Sequence, residues 1–239
     1  MIRVAADAED FSPTMKRFFP FLIIGAVALL TVGTAAVIYR VKTLPTPAPH
    51  AGAAVTATPA EAPENPFLHV RGPRNAPVTL EIYGDFQCPP CALASQAIDE
   101  LQKQYKDKVK VIFHEFPLEM HQHAAAAALA AEAAAVQGKF WDMHDMLYQY
   151  QSVWSGATNV NYLFEAYAES LGLDVARFRA DRQSADVRAH VIEDGKGGEA
   201  RGVKNTPTIF INGTELRTGF TKEKMRETID AALASGNKP

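Results

Sequence analysis

The sequence predicts an α/β sandwich carrying a helical insertion. Three stretches lead to that class: a strand-helix-strand pattern between Val78 and Phe113, a helix-rich block from about Glu119 to Arg201, and a strand-turn-strand-helix ending. Val78–Tyr83 alternates apolar and polar residues and reads as a strand. Ala94, Ala97, Ile98, Leu101 and Tyr105 then recur at helical spacing. Val109–Phe113, β-branched and aromatic, is the second strand. In the middle block HAAAAALAAEAAAVQG is a strong helix former ended by Gly138, with helical spacing again over Phe140–Gln149, Asn161–Leu171 and Ala185–Arg201. Gly195, Gly197 and Gly198 predict a loop or a break within the last of these. They are no phosphate loop, because no strand precedes them and no Lys-Ser/Thr follows. Thr208–Ile211, an Asn212–Gly213 turn, a short strand from Thr214 and a helix from Thr221 to about Ala234 complete the chain, with Thr221 as N-cap. Asn212-Gly213-Thr214 also matches a glycosylation acceptor, although the hairpin turn accounts for it.

Ahead of this domain the chain changes character. Residues 1–17 precede an uncharged run from Phe18 to Tyr39, bracketed by Lys16 and Arg17 and by Arg40 and Lys42. As a helix this run is roughly 33 Å long, enough for a hydrocarbon core of about 30 Å, and longer than the apolar region of a cleaved signal peptide. It reads as one transmembrane anchor over 18–39. Arg3, Lys16 and Arg17 weigh slightly toward a cytoplasmic N-terminus for 1–17. Residues 40–66 form a semi-rigid linker, and its stretch from Leu44 to Pro66, rich in Pro and Ala with almost no large apolar side chain, reaches at most roughly 70 Å. The single folded domain is 67–239.

Composition narrows the function classes. A net charge of -3 with no basic cluster excludes a nucleic-acid footprint. Two cysteines, Cys88 and Cys91, leave no thiol for a stapled disulfide scaffold, so the fold depends on an ordinary core. Cys88-Pro89-Pro90-Cys91 stands at the start of a helix. Unpaired N–H groups and the helix dipole there favour an anion and lower the pKa of the first thiol. The prolines suit that start, where their missing N–H groups cost nothing. Cys88 is therefore expected as the exposed nucleophile and Cys91 as the resolving thiol, acting through a mixed disulfide.

VTLEIYGDFQCPPC, VIFHEFPLEMH, GKFWDMHDMLY and GVKNTPTIFING, in that order, resemble the membrane-anchored, DsbA-like branch of the thioredoxin superfamily. The resemblance covers nearly all of 67–239. It implies a thioredoxin-like fold with a helical insertion over about 119–201, and a thiol:disulfide oxidoreductase. It also implies that Thr206-Pro207 is a cis-proline loop that docks a substrate strand. The chain departs from the family pattern at two positions. Pro90 stands where DsbA-type oxidases usually carry His, which implies a less oxidising potential. Ile82 stands six residues before Cys88, where the family often buries an acid that handles the proton of the resolving thiol. Asp85 and Glu81 are the candidate substitutes. Glu81 points to the opposite strand face, and Asp85 reads equally as a loop cap.

The function expected is thiol:disulfide exchange, with oxidation of thiols in exported proteins as the preferred direction and a reductase or isomerase as the alternative. A tethered thioredoxin-like binding or chaperone module is the alternative of another class. Neither cofactor nor metal is expected. A zinc site of Cys88 and Cys91 with His121 and His123 is the competing idea, but a polar helix entrance accounts for those histidines. His114 and His144 read as packing or surface residues, and Trp141, Tyr148, Tyr150 and Trp154 as a helical aromatic core. The expected partners are protein thiols or disulfides, and for an oxidase the resemblance implies a quinone-linked membrane redox partner that reoxidises it. The resemblance implies a bacterial inner membrane as the location, single-pass, and the need for an oxidising compartment puts the domain on the periplasmic side.

Overall fold

The computed structural model describes residues 67–217 and 219–236. The cytoplasmic segment 1–17, the transmembrane span 18–39 and the linker 40–66 lie outside the described residues. Among the described residues, no helix is long and apolar enough to cross a membrane.

Five strands form one mixed sheet: β1 (His69–Arg71), β2 (Val78–Gly84), β3 (Val109–Glu115), β4 (Thr208–Ile211) and β5 (Thr214–Glu215). Their order is β1-β3-β2-β4-β5. The central pair β2 and β3 is parallel, with Ile82 opposite Phe113 and Gly84 opposite Glu115. Both outer pairings and the β4–β5 hairpin are antiparallel. A parallel pair needs a crossover. Here it is α1 (Pro89–Tyr105), ended by a short 3-10 turn over Lys106–Lys108.

β2 is buried along nearly its whole length, as a central strand must be. Its alternation sends Leu80 and Ile82 into the main core with Cys88, Cys91, Ile98 and Leu101. Tyr83 goes to a smaller cluster with Phe116, Val203 and Phe210 on the other face.

The insertion comprises α2 (Ala124–Ala135), α3 (Phe140–Gln149), α4 (Gln151–Trp154), α5 (Asn161–Ser170), α6 (Val175–Asp181) and α7 (Ala185–Ala200). The alanine run of α2 is buried over most of its circumference, and its small side chains let α3, α5, α6 and α7 pack against it. The last helix, α8 (Lys222–Ser235), packs on α1 and starts at Thr221, whose side chain accepts from the Lys224 N–H at 3.3 Å.

The structure differs from the sequence reading in two places. His69–Arg71 is a strand that the pattern did not announce, being too short for alternation to register. In addition, Gly195, Gly197 and Gly198 lie inside the unbroken helix α7 rather than in a loop. At Gly198 packing overrides the weak propensity. A Cβ on Gly198 would come within 2.8 Å of the Phe116 ring and 2.9 Å of Tyr83, so only glycine lets α7 approach this closely. Gly195 meets nothing within 4 Å. Urea denaturation is expected to separate them: Gly198→Ala destabilises by about 1–3 kcal/mol through overpacking, whereas Gly195→Ala is neutral or stabilises by up to about 1 kcal/mol.

Candidate redox site

The crossover places Cys88 at the N-cap of α1, in extended conformation, with Pro89 and Pro90 as the first helical residues. The Cys91 and Ala92 N–H groups reach the Cys88 carbonyl at 3.0 and 3.4 Å, closing the first turn. Both cysteines are free thiols. Opposite them runs the 203–207 segment, in which the Thr206–Pro207 bond is cis. Cys88 Sγ lies 3.4 Å from the Thr206 carbonyl oxygen, to which the protonated thiol donates. The Thr206 hydroxyl, buried without another partner, favours the thiolate.

The two thiols are driven apart. Cys88 falls to about 6, chiefly because the Cys91 thiol donates to it, with Thr206 and the Cys91 N–H adding to the effect against burial and the Asp85 charge. Cys91 moves strongly upward, first through burial and then through its role as donor to Cys88. The expectation of an exposed Cys88 is corrected: it is 5 % exposed and Cys91 3 %. The Thr206–Pro207 loop closes over the helix start, although Cys88 remains the shallower thiol. A groove of about 350 Å³ opens alongside, lined by Pro90, Thr206, Pro207, Leu216 and Phe220 among others.

Of the candidate proton carriers, Glu81 lies on the Tyr83 face of β2, paired with Arg201 and away from the thiols. It is therefore corrected as a substitute acid, for the reason its strand parity gives. Asp85 is fully buried and holds the loop. Its Oδ1 accepts from the Gln87 N–H at 2.7 Å and its Oδ2 from the Leu118 N–H at 2.9 Å, with His121 Nδ1 2.7 Å from Oδ2. Ile82 helps line a cavity of about 20 Å³ against Cys91, with Phe113, Trp141, His144 and Tyr148 in the same wall. His144 is a buried residue whose pKa burial lowers. Tyr148 and Trp154 are core aromatics, whereas Tyr150 is exposed.

Spacing did not reveal Gln151. Its side-chain amide donates to the carbonyls of Phe86 and Cys88, at 2.7 and 3.0 Å, and ties the insertion to the redox loop. His121 is occupied by Asp85, and His123 Nε2 lies 2.8 Å from the Ala157 carbonyl. Among the described residues the cysteines and these histidines form no metal-ligand group.

A family model described as Thioredoxin matches residues 64–231. The chain belongs to the thioredoxin family. This thioredoxin-family chain is 40 % identical over 170 residues to a Na(+)/H(+) antiporter NhaA 1 of Salinispora arenicola. That match takes in 70 % of the chain but only 25 % of the antiporter, so the likeness spans about a quarter of the relative's length. Among solved structures, oxidised BdbD from Bacillus subtilis superposes with a TM-score of 0.63 at 24 % identity, covering 70 % of this chain and 94 % of that one. MdbA, a thiol-disulfide oxidoreductase from Corynebacterium diphtheriae, gives 0.56 at 22 %, covering 70 % and 90 %. At these identities the two structures show the shared fold.

Alkylation of the reduced chain should report the split thiols. Below about pH 6 Cys88 is protonated and unreactive, and above it the thiolate reacts, so the iodoacetamide rate at Cys88 rises through a midpoint near 6. Cys91→Ala removes the largest stabilising hydrogen bond, and the midpoint moves up toward the ordinary thiol value near 8.5. An unchanged midpoint would refute this account of the thiolate.

Proposed function

We propose that the chain is a protein thiol:disulfide oxidoreductase working through Cys88 and Cys91. The observation that carries the reading is the split pair beside the cis loop: a thiol of pKa about 6 at a helix start, hydrogen-bonded by a buried, protonated partner. In the reaction the Cys88 thiolate attacks one sulfur of a substrate disulfide and expels the other as a thiolate. Cys91, giving up its proton, then attacks Cys88 Sγ, which releases the second substrate thiolate and leaves the Cys88–Cys91 disulfide. Oxidation of substrate thiols is the same sequence reversed. The groove beside Pro207 offers an extended substrate segment a place to lie next to Cys88.

Oxidation of exported proteins is the preferred direction, supported by the DsbA-like insertion, and the likeness to MdbA supports thiol-disulfide exchange in general. One observation favours the reductase or isomerase reading. The charge acting on Cys88 is the Asp85 carboxylate, which opposes the thiolate, and a pKa of about 6 lies closer to thioredoxin (about 7) than to DsbA (about 3.5). Equilibration with glutathione buffers tests direction: a potential near about -120 mV supports an oxidase, and one near about -270 mV a reductase. Cys88→Ser should abolish exchange and Cys91→Ser should trap a mixed disulfide. Full cellular function without Cys88 would instead identify a binding or chaperone module.

The proposal places the domain outside a bacterial inner membrane, anchored by 18–39 with 1–17 inside and 40–66 as the tether. A quinone-linked membrane protein would reoxidise it in the oxidase reading. Protease added to intact spheroplasts should remove the domain. Its protection there would reverse the orientation.

A further inference from the structure

Away from the thiols, the sheet and the insertion meet in a cluster of ionisable side chains that the redox chemistry does not use. His69 on β1, Glu132 on α2 and His190 on α7 each present one ligand atom, all within 4.8 Å of one another. His69 Nε2 is 2.7 Å and His190 Nε2 3.6 Å from Glu132 Oε1. Glu132 is fully buried and its Oε2 has no hydrogen-bond partner. Two further carboxylates stand close. Asp194 Oδ2 is 3.5 Å from His190 Nε2 and accepts from the Glu115 N–H at 2.9 Å. Glu115 is fully buried with both carboxylate oxygens unpartnered. His114 Nδ1 completes the group, 3.2 Å from Asp194 Oδ1.

Such an arrangement is costly for a protein alone. Glu132 Oε2, both Glu115 oxygens and His190 Nε2 are buried without a hydrogen-bond partner, and such groups are penalised heavily. A cation among His69, Glu132 and His190 would partner Glu132 and His190 Nε2.

We propose that His69, Glu132 and His190 bind a divalent transition-metal ion of the zinc type, with Asp194, 3.5 Å from His190 Nε2, the neighbouring carboxylate beside the fourth position. Two imidazoles and a carboxylate suit zinc, whereas magnesium and calcium prefer oxygen alone. Ligands at about 2.0–2.1 Å around a tetrahedral ion stand about 3.3 Å apart, within the range these atoms already span. His69 is held in place by stacking on Phe140, with ring centroids 3.4 Å apart. The ion would tie β1, α2 and α7 together, joining the sheet to the insertion. Its role is structural.

The test uses the full chain in detergent, without an affinity tag, with Cys88 and Cys91 replaced by serine so that thiols bind no metal. After dialysis against zinc chloride, elemental analysis should find one zinc per chain, and zinc should raise the unfolding midpoint. Glu132→Gln, which preserves shape, should weaken zinc binding by more than about tenfold and cancel the thermal shift. Should that variant fail to fold, His190→Asn, on the more accessible side of the cluster, carries the same expectation. The proposal is overturned by absence of zinc from the cysteine-free chain, by equal retention in both variants, or by calcium binding in place of zinc.

Discussion

The redox loop and the entrance to the insertion hang on one buried carboxylate. Asp85 follows β2 directly, and its two oxygens gather the Gln87 N–H, the Leu118 N–H and the His121 ring. Gln87 belongs to the loop that delivers Cys88, and Leu118 to the segment leaving β3 for α2. Desolvating a carboxylate costs several kcal/mol. Three hydrogen bonds to a charged group, each about 1.5–3 kcal/mol, offset that cost while fixing the relative position of two loops distant in sequence. The parallel β2–β3 pairing brings both loops to the same sheet edge, and Asp85 locks them there.

Placing a negative charge at this point has a consequence for the thiol. A carboxylate near Cys88 disfavours its thiolate, so the low pKa is achieved against the local charge and not through it. Hydrogen bonds do the stabilising, from Cys91 above all and then from Thr206. Pro90 supplies no cation that would reinforce them. Stabilisation by donors is less sensitive to salt than stabilisation by a distant charge, because buried short-range contacts are poorly screened.

Much of the fold was legible in residue pattern. β2, β3, β4 and the helices around them carry clean alternation or helical spacing, and Thr221 and Asn212–Gly213 announce a cap and a turn that the structure contains. Ranges failed where tertiary contact overrides local preference. Gly198 is tolerated in a helix because Phe116 and Tyr83 leave room for nothing larger, and β1 exists because β3 offers it an edge. At the site, the cysteines were visible as a motif, but their burial was not, since the covering loop lies more than a hundred residues downstream. Gln151 acts through contacts that no spacing encodes. Glu132 did leave a signal: a single acid in an alanine helix otherwise suited to full burial.

The absence of an acid at Ile82 bears on the direction of electron flow. Cys91 faces a wall of Ile82, Phe113 and Tyr148, and burial holds its thiol protonated. In the reduced state that proton is useful, because it is donated to the Cys88 thiolate. During resolution the same proton must leave, and the two candidate acids are held elsewhere: Asp85 is engaged by the loop, and Glu81 lies across the sheet with Arg201. The arrangement therefore stabilises the reduced pair and slows the attack of Cys91 on a mixed disulfide. A stabilised reduced form raises the potential toward the oxidising end, while the uncompensated Asp85 charge lowers it. These opposing effects act on the same sulfur, and the poise of the site is set by the balance between a buried hydrogen bond and a buried charge.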